Sequence, residues 1–461
     1  MADQRKANAG SEQTQSNYVD GARVLAVGVG ATGLLTFLYF ALSSHLLSAN
    51  QYGELSVLWA ALFIVISVIY RPIEQLLSRT IADRRARGAH HSHPLRGPIS
   101  IQTAFALGFL AVALILRPQI EDLFGGSVTL YWIFVCATLA YAASYFARGY
   151  FAGHQWFVLY GGLMLFESCA RVCFPLAVLV GITSGQDAIA LGIFAAPVAS
   201  LLVVPWAIAR HARLDNGAPP IEVSAVAGSS VGFAASVAVV QLSEQTLLNA
   251  GVLVADSVAG AATAGAVFSV LLITRAPLQL FQSIQTTLLP HLTGLEATEG
   301  GEEFSKAIKV TVRAIAGFAA ASALVMVVAG PFVMQVLFGD DTTYGRWGLA
   351  AVALGMGFHL TAGTLNQAAL ARGQARAAGV IWALVALAFT AWMFVPLVSS
   401  VLLRAELGYP TTTLILSLLL YVLYRQPKAA DGDLVPVRSS VEDVVEGSDG
   451  ILLTKDRGAG N

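Results

Sequence analysis

VTLYWIFVCATLAYAASYFA, residues 128–147, contains no charged side chain and is long enough to cross a lipid bilayer once. A hydrocarbon core about 30 Å thick needs about 20 apolar residues in a helix. The whole chain of 461 residues has the same character, because 56% of it is apolar and only 12% is charged. Ordinary soluble domains carry about 25% charged residues. The composition therefore argues against a disordered chain or a soluble enzyme and predicts a membrane protein.

Segments of this kind recur along the chain, and twelve can be counted. Their predicted bounds are 22–45, 53–73, 99–116, 128–147, 158–182, 187–209, 223–250, 260–289, 310–331, 346–370, 376–399 and 405–424. Two of the separations are short: a polar turn at Thr183–Asp187 and the stretch Val254–Ala259. We therefore predict an all-α polytopic membrane protein with about twelve transmembrane helices.

The basic residues predict the orientation of these helices. If the amino terminus lies in the cytoplasm, 22 of the 27 lysines and arginines fall in cytoplasmic loops and tails. Only Arg117, Arg346 and Arg404 fall in the opposite loops. Because basic loops stay in the cytoplasm, both termini are predicted there. The excess of arginine over lysine, with abundant Ala, Gly and Val, indicates a bacterium, so the predicted location is a bacterial cell membrane.

The two halves of the chain contain similar short motifs. The tripeptide ARG is predicted to close the fourth span at Ala147–Gly149 and the tenth at Ala371–Gly373. A second pair, Tyr52–Gly53 and Ala264–Gly265, lies near the starts of the second and eighth spans. We interpret these pairs as a parallel repeat of two six-helix bundles around a central cavity. Paired repeats of this kind give many transporters alternating access to the two sides of the membrane.

This repeat predicts how the chain is divided. Two polar ends flank the membrane part, and the carboxyl-terminal one is too poor in apolar residues to fold on its own. The predicted parts are a cytoplasmic segment over 1–21, a first bundle over 22–210, a cytoplasmic linker over 211–222, a second bundle over 223–424 and a disordered cytoplasmic tail over 425–461.

Several of these motifs keep the order and helix positions found in a known family. They are Tyr52–Gly53, Ala147–Gly149, Ala264–Gly265, Leu289–Pro290, Leu337–Gly339 and Leu370–Gly373. In these residues the chain resembles the polysaccharide-transport branch of the multidrug/oligosaccharidyl-lipid/polysaccharide exporter superfamily. The resemblance covers about residues 50–425, which is the whole predicted membrane part.

The resemblance implies a flippase that moves a polyprenyl-(pyro)phosphate-linked sugar across the cytoplasmic membrane by alternating access, for the synthesis of cell-envelope polysaccharide. Its partners would be that lipid-linked sugar, the bilayer and polysaccharide-synthesis enzymes, with no nucleic acid. One departure concerns ion coupling: many relatives have an aspartate followed by a basic residue in the seventh helix, whereas this chain has Glu244–Gln245.

Other functions stay open. An ion-coupled multidrug antiporter of the same superfamily would need an essential membrane carboxylate, and a non-transporting scaffold would recruit synthesis enzymes through its tail or basic loop. A membrane glycosyltransferase or polymerase would favour a large outer loop with paired acids, whereas every predicted outer loop is short. The sequence has no nucleotide-binding glycine motif and no convincing metal motif, so neither a cofactor nor a catalytic residue is predicted.

Charged residues within spans are the candidates for the transport site, since each costs about 2.5–3.5 kcal/mol near the bilayer centre unless it meets water or a partner. Glu167 and Arg171 stand four residues apart in the fifth span. They either neutralise each other along one helix face or line the central cavity, and the two interpretations are compatible.

A second group of candidates lies in the seventh and eighth spans. Arg275 begins a polar series that continues at Gln279 and Gln282 along one side of the eighth span. Two interpretations of Arg275 are possible: it binds the substrate phosphate in the cavity, or it neutralises Glu244 on the adjacent seventh span.

A third group lies at the cytoplasmic end of the second span. Arg71 and Arg79 would attract a phosphate to a cavity mouth on that side, because guanidinium groups bind phosphate through paired hydrogen bonds. The alternative is that both are interfacial arginines that only fix the topology.

Overall fold

The structure is a computed structural model, which describes residues 28, 30–86, 96–212, 229–273, 301–339 and 344–426. These residues are almost entirely helical. The helices are α1 (30–46), α2 (Ala49–Ile69), α3 (Arg71–Ala86), α4 (Arg96–Ile115), α5 (Arg117–Leu123), α6 (Val128–Gly153), α7 (Phe157–Leu179), α8 (Gln186–Ala212), α9 (Ser229–Ala259), α10 (Ala261–Ile273), α11 (Gly301–Phe338), α12 (Arg346–Ala371), α13 (Ala375–Phe394) and α14 (Val401–Arg425).

Each of the twelve predicted spans has a described helix over at least part of its length. In the described part of the chain, nine helical segments are long and apolar enough to cross a membrane, and two shorter apolar segments lie at Gln186–Leu202 and Ala261–Ile273. The described part of α1 lies at the position of the remaining predicted span. The predicted all-helical polytopic fold is therefore confirmed. The predicted tail lies outside the described residues from residue 427 onward, as does most of the predicted linker.

The second span continues further than predicted. We expected it to end at residue 73 and a cytoplasmic loop to follow, but α3 continues the helix almost directly from α2 and runs to Ala86. Tyr70, between the two, keeps a right-handed helical conformation and donates its N–H to the carbonyl of Ile66. The charged residues Arg71 and Glu74 lie at the start of α3, and Glu74 accepts a hydrogen bond from Tyr160 of the same bundle.

The seventh and eighth spans are separated at a different residue from the one predicted. The stretch Val254–Ala259, predicted as the break, is the last part of α9. The chain turns at Gly260 alone, which has a φ of +85°. This backbone conformation costs glycine little, whereas it strains other residues.

The two ARG motifs have different structural roles, although both were predicted to close a helix. Gly373 has a φ of +76° and follows the end of α12, so the second motif does close its helix. The first motif lies inside α6, which continues to Gly153. A Cβ on Gly149 would lie only 2.7 Å from the carbonyl oxygen of Glu74, so this glycine allows α3 to cross α6 closely.

The helices pack as two bundles. In the first, α6 packs against α3 and α8, and α7 packs against α8; in the second, α12 packs against α11 and α14, and α13 packs against α9 and α14. The bundles meet chiefly where α2 packs against α9. They also meet at one end of the molecule, where the α1–α2 turn approaches α10 and the end of α11. We call this the closed end.

The closed end is held by aromatic packing and by two hydrogen bonds between the bundles. Phe40 packs against Phe268 with ring centroids 4.6 Å apart, and Phe37 packs against Phe338 at 5.8 Å. The Tyr52 hydroxyl lies 3.0 Å from the Ser269 hydroxyl. The Ser44 hydroxyl donates to the carbonyl of Leu337 at 3.3 Å.

Two glycines allow this close contact. A Cβ on Gly53 would lie 1.8 Å from the carbonyl oxygen of Ala261, and a Cβ on Gly265 would lie 3.1 Å from the Cα of Gly53. Helices in membranes associate through such small residues, because the surrounding lipid gives apolar side chains little reason to come together. The motifs Tyr52–Gly53 and Ala264–Gly265, which indicated the repeat, therefore lie in direct contact between the two bundles.

A larger side chain at Gly53 should force the closed end apart. In a variant whose native cysteines are replaced and which contains Ser269→Cys, the thiol is buried and should react slowly with a maleimide. Adding Gly53→Leu should raise the labelling rate several-fold. Gly108→Leu is the matched control, because no atom lies within 4 Å of a Cβ at Gly108. Equal labelling rates in the Gly53 and Gly108 variants would contradict this role for Gly53.

Candidate functional site

A deeply buried ion pair of the first bundle joins α6 to α7. Glu167 is 2% exposed and Arg148 is 8% exposed, and the Arg148 guanidinium donates from Nη2 to Glu167 Oε2. The hydroxyls of Ser144 on α6 and Ser200 on α8 both donate to the other carboxylate oxygen. Three helices thus converge on one carboxylate. Such full hydrogen bonding is what allows an ion pair to persist away from water.

Glu167 and Arg171 do not neutralise each other as an i,i+4 pair. Glu167 turns toward Arg148, and Arg171, which is 4% exposed, turns toward a different set of helices. Arg171 Nη2 donates to the Tyr141 hydroxyl at 2.7 Å, and Nη1 donates to Thr36 on α1 at 3.4 Å. The i,i+4 spacing made a pair possible, but the neighbouring helices offered each side chain better partners.

Arg171 has no carboxylate partner among the described residues. Its guanidinium carbon lies 4.6 Å from the ring centroid of Trp59, which is a cation–π distance. The Nε–H groups of both Arg148 and Arg171 are buried without a hydrogen-bond acceptor in the described part of the chain. The interior of the first bundle therefore contains hydrogen-bond donors and positive charge that the surrounding protein does not fully use.

Arg71 and Glu74 lie next to this interior, at the start of α3. The Tyr160 hydroxyl on α7 donates to Glu74 Oε1 at 2.7 Å. Arg71 is only partly buried, and its charge is attracted to Glu244 in the second bundle as well as to Glu74. The helix α3 that carries Arg71 also contacts α9 of the second bundle. Arg79 lies further along α3, and its side chain is outside the described residues.

Glu244 lies on α9 and has a partner that the sequence did not suggest. The Gln241 amide donates to Glu244 Oε2 at 3.2 Å, and His359 Nε2 on α12 lies 3.6 Å from Oε1. His359 is 1% exposed. The predicted partner Arg275 lies outside the described residues, as do Gln279 and Gln282. Within the described residues, no group of three His, Cys, Asp or Glu side chains is arranged to hold a metal ion.

Sequence reasoning missed Arg148 and the aromatic residues around it. Arg148 was considered only as part of the ARG motif. Along α6, however, polar residues recur at steps of three and four, at Thr138, Tyr141, Tyr145 and Arg148. This spacing places polar groups on one helix face, which in a membrane segment points to the protein interior. The Arg148 guanidinium carbon lies 4.7 Å from the Tyr145 ring centroid.

Comparison with known proteins identifies the fold. No protein-family model matches the sequence, and no curated protein matches it. An inward-facing structure of a multidrug resistance MATE family transporter of the MOP superfamily matches with a TM-score of 0.64 at 11% identity, covering 89% of this chain and 94% of that chain. An outward-facing structure with the same description matches at 0.60 with 13% identity, covering 89% and 94%.

A third match is a mutant of the Vibrio cholerae MATE transporter VcmN, with a TM-score of 0.60 at 16% identity, covering 89% of this chain and 97% of that one. At these identities the likeness concerns the fold. The chain therefore has the fold of MATE transporters, with two pseudo-repeated helical bundles.

Breaking the buried pair should destabilise the protein. Arg148→Ala leaves Glu167 without its countercharge, so the free energy of unfolding should fall by roughly 3–5 kcal/mol. Replacing both residues, as Arg148→Met with Glu167→Leu, should restore most of the loss, since an apolar pair leaves no stranded charge. Thermal unfolding in detergent micelles measures both.

The matched control is Arg117→Ala, which breaks a solvent-exposed pair with Glu121. Exposed ion pairs stabilise little, so its melting temperature should stay close to that of the wild type. A melting temperature of Arg148→Ala as high as that of this control would show that the buried pair does not support the fold.

Proposed function

We propose that the protein is a transporter that moves a polyprenyl-(pyro)phosphate-linked sugar across a bacterial cell membrane by alternating access. The observation that supports this most is the charge of the first bundle. Around the buried Arg148–Glu167 pair lie three arginines, Arg71, Arg148 and Arg171, and two glutamates, Glu74 and Glu167, whereas the partly buried Glu54 and Glu121 lie near the start of α2 and in the short helix α5. A positive excess in a medium of low dielectric attracts an anion strongly.

Arg71 is the residue best placed to meet the substrate phosphate. It is the least buried of the three arginines, and it lies where the bundles face each other near Glu244. Its planar guanidinium matches two phosphate oxygens at once. Arg171 contributes positive potential from deeper in the bundle, where its charge has no carboxylate partner among the described residues. Arg275, which the sequence places in the eighth span, would add to the same excess.

The closed end fits one state of an alternating-access cycle. The MATE structures similar in fold to this chain were solved in both inward-facing and outward-facing forms. If the amino terminus is cytoplasmic, as the basic loops predict, the closed end faces the outer side. The site around Arg71 would then be approached from the cytoplasm, where lipid-linked sugars are assembled.

An ion-coupled multidrug antiporter is the second candidate. It is favoured by the descriptions of the similar structures, which name multidrug resistance, and by the carboxylate of Glu244 between the bundles. The two candidates differ in which charges are essential. A phosphate substrate requires the arginines, whereas a cationic drug requires the carboxylates and is repelled by the arginines.

Substitution of Arg71 distinguishes the two. In proteoliposomes with a fluorescent polyprenyl-pyrophosphate-linked sugar, Arg71→Gln should slow translocation at least tenfold. Arg71→Lys should retain part of the rate, because lysine keeps the charge but loses the paired hydrogen bonds. Arg171→Gln should also slow it. Arg346→Gln, which removes an exposed arginine at the start of α12, is the control and should translocate normally.

Two results would count against the flippase. One is wild-type translocation by both Arg71→Gln and Arg171→Gln at normal melting temperatures. The other is proton-driven export of a lipophilic cation that is lost in Glu244→Gln but kept in Arg71→Gln, which would favour the antiporter.

A further inference from the structure

Three buried polar atoms on α1 and α7 have no hydrogen-bond partner in the part of the chain that the structure describes. They are Thr32 Oγ1, Ser168 Oγ and Arg171 Nε. Ser168 is 1% exposed and Arg171 is 4% exposed. Because buried polar groups in proteins are almost always hydrogen-bonded, these three have capacity to bind something more. A single ligand satisfies all three if they lie close together.

The packing of α1 on α7 places Thr32 at the interface between these helices. A Cβ on Gly28 would lie 3.1 Å from the Cα of Gly161, and Arg171 Nη1 lies 3.4 Å from the Thr36 hydroxyl oxygen. The residue numbers of both helices rise from the first contact to the second, so the two helices run parallel here. Thr32 lies four residues after Gly28 and four before Thr36, on the face of α1 that makes both contacts. Its hydroxyl is therefore held next to α7.

Ser168 and Arg171 lie on one face of α7, because they are three residues apart. Helical side chains tilt toward the amino terminus, so the long Arg171 side chain extends back over the turn that carries Ser168. Both residues follow Gly161, where α7 and α1 cross closely. The Ser168 hydroxyl, the Arg171 Nε–H and the Thr32 hydroxyl thus share one stretch of the α1–α7 interface.

The chemistry of these groups indicates an anion. A guanidinium N–H only donates and both hydroxyls can donate, so a ligand that only accepts satisfies all three. The charge of Arg171 also lacks a carboxylate partner among the residues described, since Glu167, one turn away on α7, is bound by Arg148. A water molecule would satisfy the donors but offset no charge, whereas an anion does both.

The burial of these residues limits the size of the anion. Because Ser168 and Arg171 are almost inaccessible, a phosphate that carries a sugar and a polyprenyl chain does not fit between them. We propose that Thr32, Ser168 and Arg171 bind a small inorganic anion of the size of chloride inside the first bundle. The three donors hold it by hydrogen bonds, and no covalent bond forms or breaks. This inference goes beyond the proposed function, since it concerns a different ligand at a site apart from Arg71.

The anion site can be tested without any lipid substrate, because Trp59 reports on it. The Trp59 ring centroid lies 4.6 Å from the Arg171 guanidinium carbon, and Trp59 is 4% exposed. Iodide quenches indole fluorescence on contact, so iodide in bulk solution should reach Trp59 little, whereas iodide in the site should quench it. Titration of the purified full-length protein with potassium iodide, at an ionic strength kept constant with potassium gluconate, should therefore show a saturable component of quenching. Trp59→Phe should remove this component, and chloride should reduce it by competition.

Two variants test the donors. Arg171→Gln removes the charge and the Nε–H donor and should abolish the saturable quenching. Ser168→Ala removes one buried hydroxyl and should weaken the apparent affinity for iodide several-fold, which covers the case in which the Arg171 variant does not fold. Ser100→Ala is the matched control and should bind iodide as the wild type does, because Ser100 is exposed and its hydroxyl donates to the Gly97 carbonyl.

Three results would overturn the proposal. Quenching that rises linearly with iodide and does not saturate would mean that water alone fills the site. Saturable quenching that is unchanged in both Ser168→Ala and Arg171→Gln would place the anion elsewhere. Displacement of iodide by a polyprenyl pyrophosphate but not by chloride would assign the site to the lipid phosphate. Failure of lipid translocation with the saturable quenching intact would instead refute the proposed function alone.

Discussion

A charged side chain inside a membrane protein needs a partner, because the bilayer core has no water to solvate it. The Arg148–Glu167 pair meets this need with side chains from three helices, since Ser144 on α6 and Ser200 on α8 complete the carboxylate's hydrogen bonds. The pair thereby fixes how α6, α7 and α8 are rotated about their axes. Once these rotations are set, the neighbouring faces of the same helices are set as well, and Arg171 must point toward Tyr141 and Trp59.

In the second bundle, arginine side chains donate hydrogen bonds to backbone carbonyls. Arg372, the counterpart of Arg148 in the repeated motif, donates to the backbone carbonyl of Tyr424 at 2.6 Å and lies over that residue's ring. Arg404 donates to the carbonyls of Val398 and Met393. Backbone carbonyls can satisfy arginine donors inside a membrane protein. The repeat thus preserves the position of the arginine, and Arg372 contacts the backbone and ring of Tyr424 where Arg148 contacts the carboxylate of Glu167.

The sequence predicted the features that depend on local composition, namely the apolar helices and the glycine positions. Hydropathy predicted the positions of the nine long apolar helices among the described residues, and the glycines of the motifs mark turns or close crossings. The sequence did not predict contacts between helices. The spacing of Glu167 and Arg171 suggested a pair within one helix, whereas the true partner, Arg148, lies 19 residues earlier on α6. His359 gave no signal in the sequence, because a single histidine in an apolar segment has no visible partner. Its contact with Glu244 appears only when the structure places α12 near α9.

The α2–α3 helix connects the two features on which the proposed cycle depends. Gly53 and Tyr52 lie at the closed end, and Arg71 follows 18 residues later, about 27 Å along the same helical path. The chain stays helical through Tyr70, and α2 packs against α9, which carries Glu244. Only Tyr70 separates the two helices, and α2 packs along α9. We therefore expect opening of the crossing at Gly53 to shift Arg71 relative to Glu244, which couples the charge between the bundles to the closure of the far end.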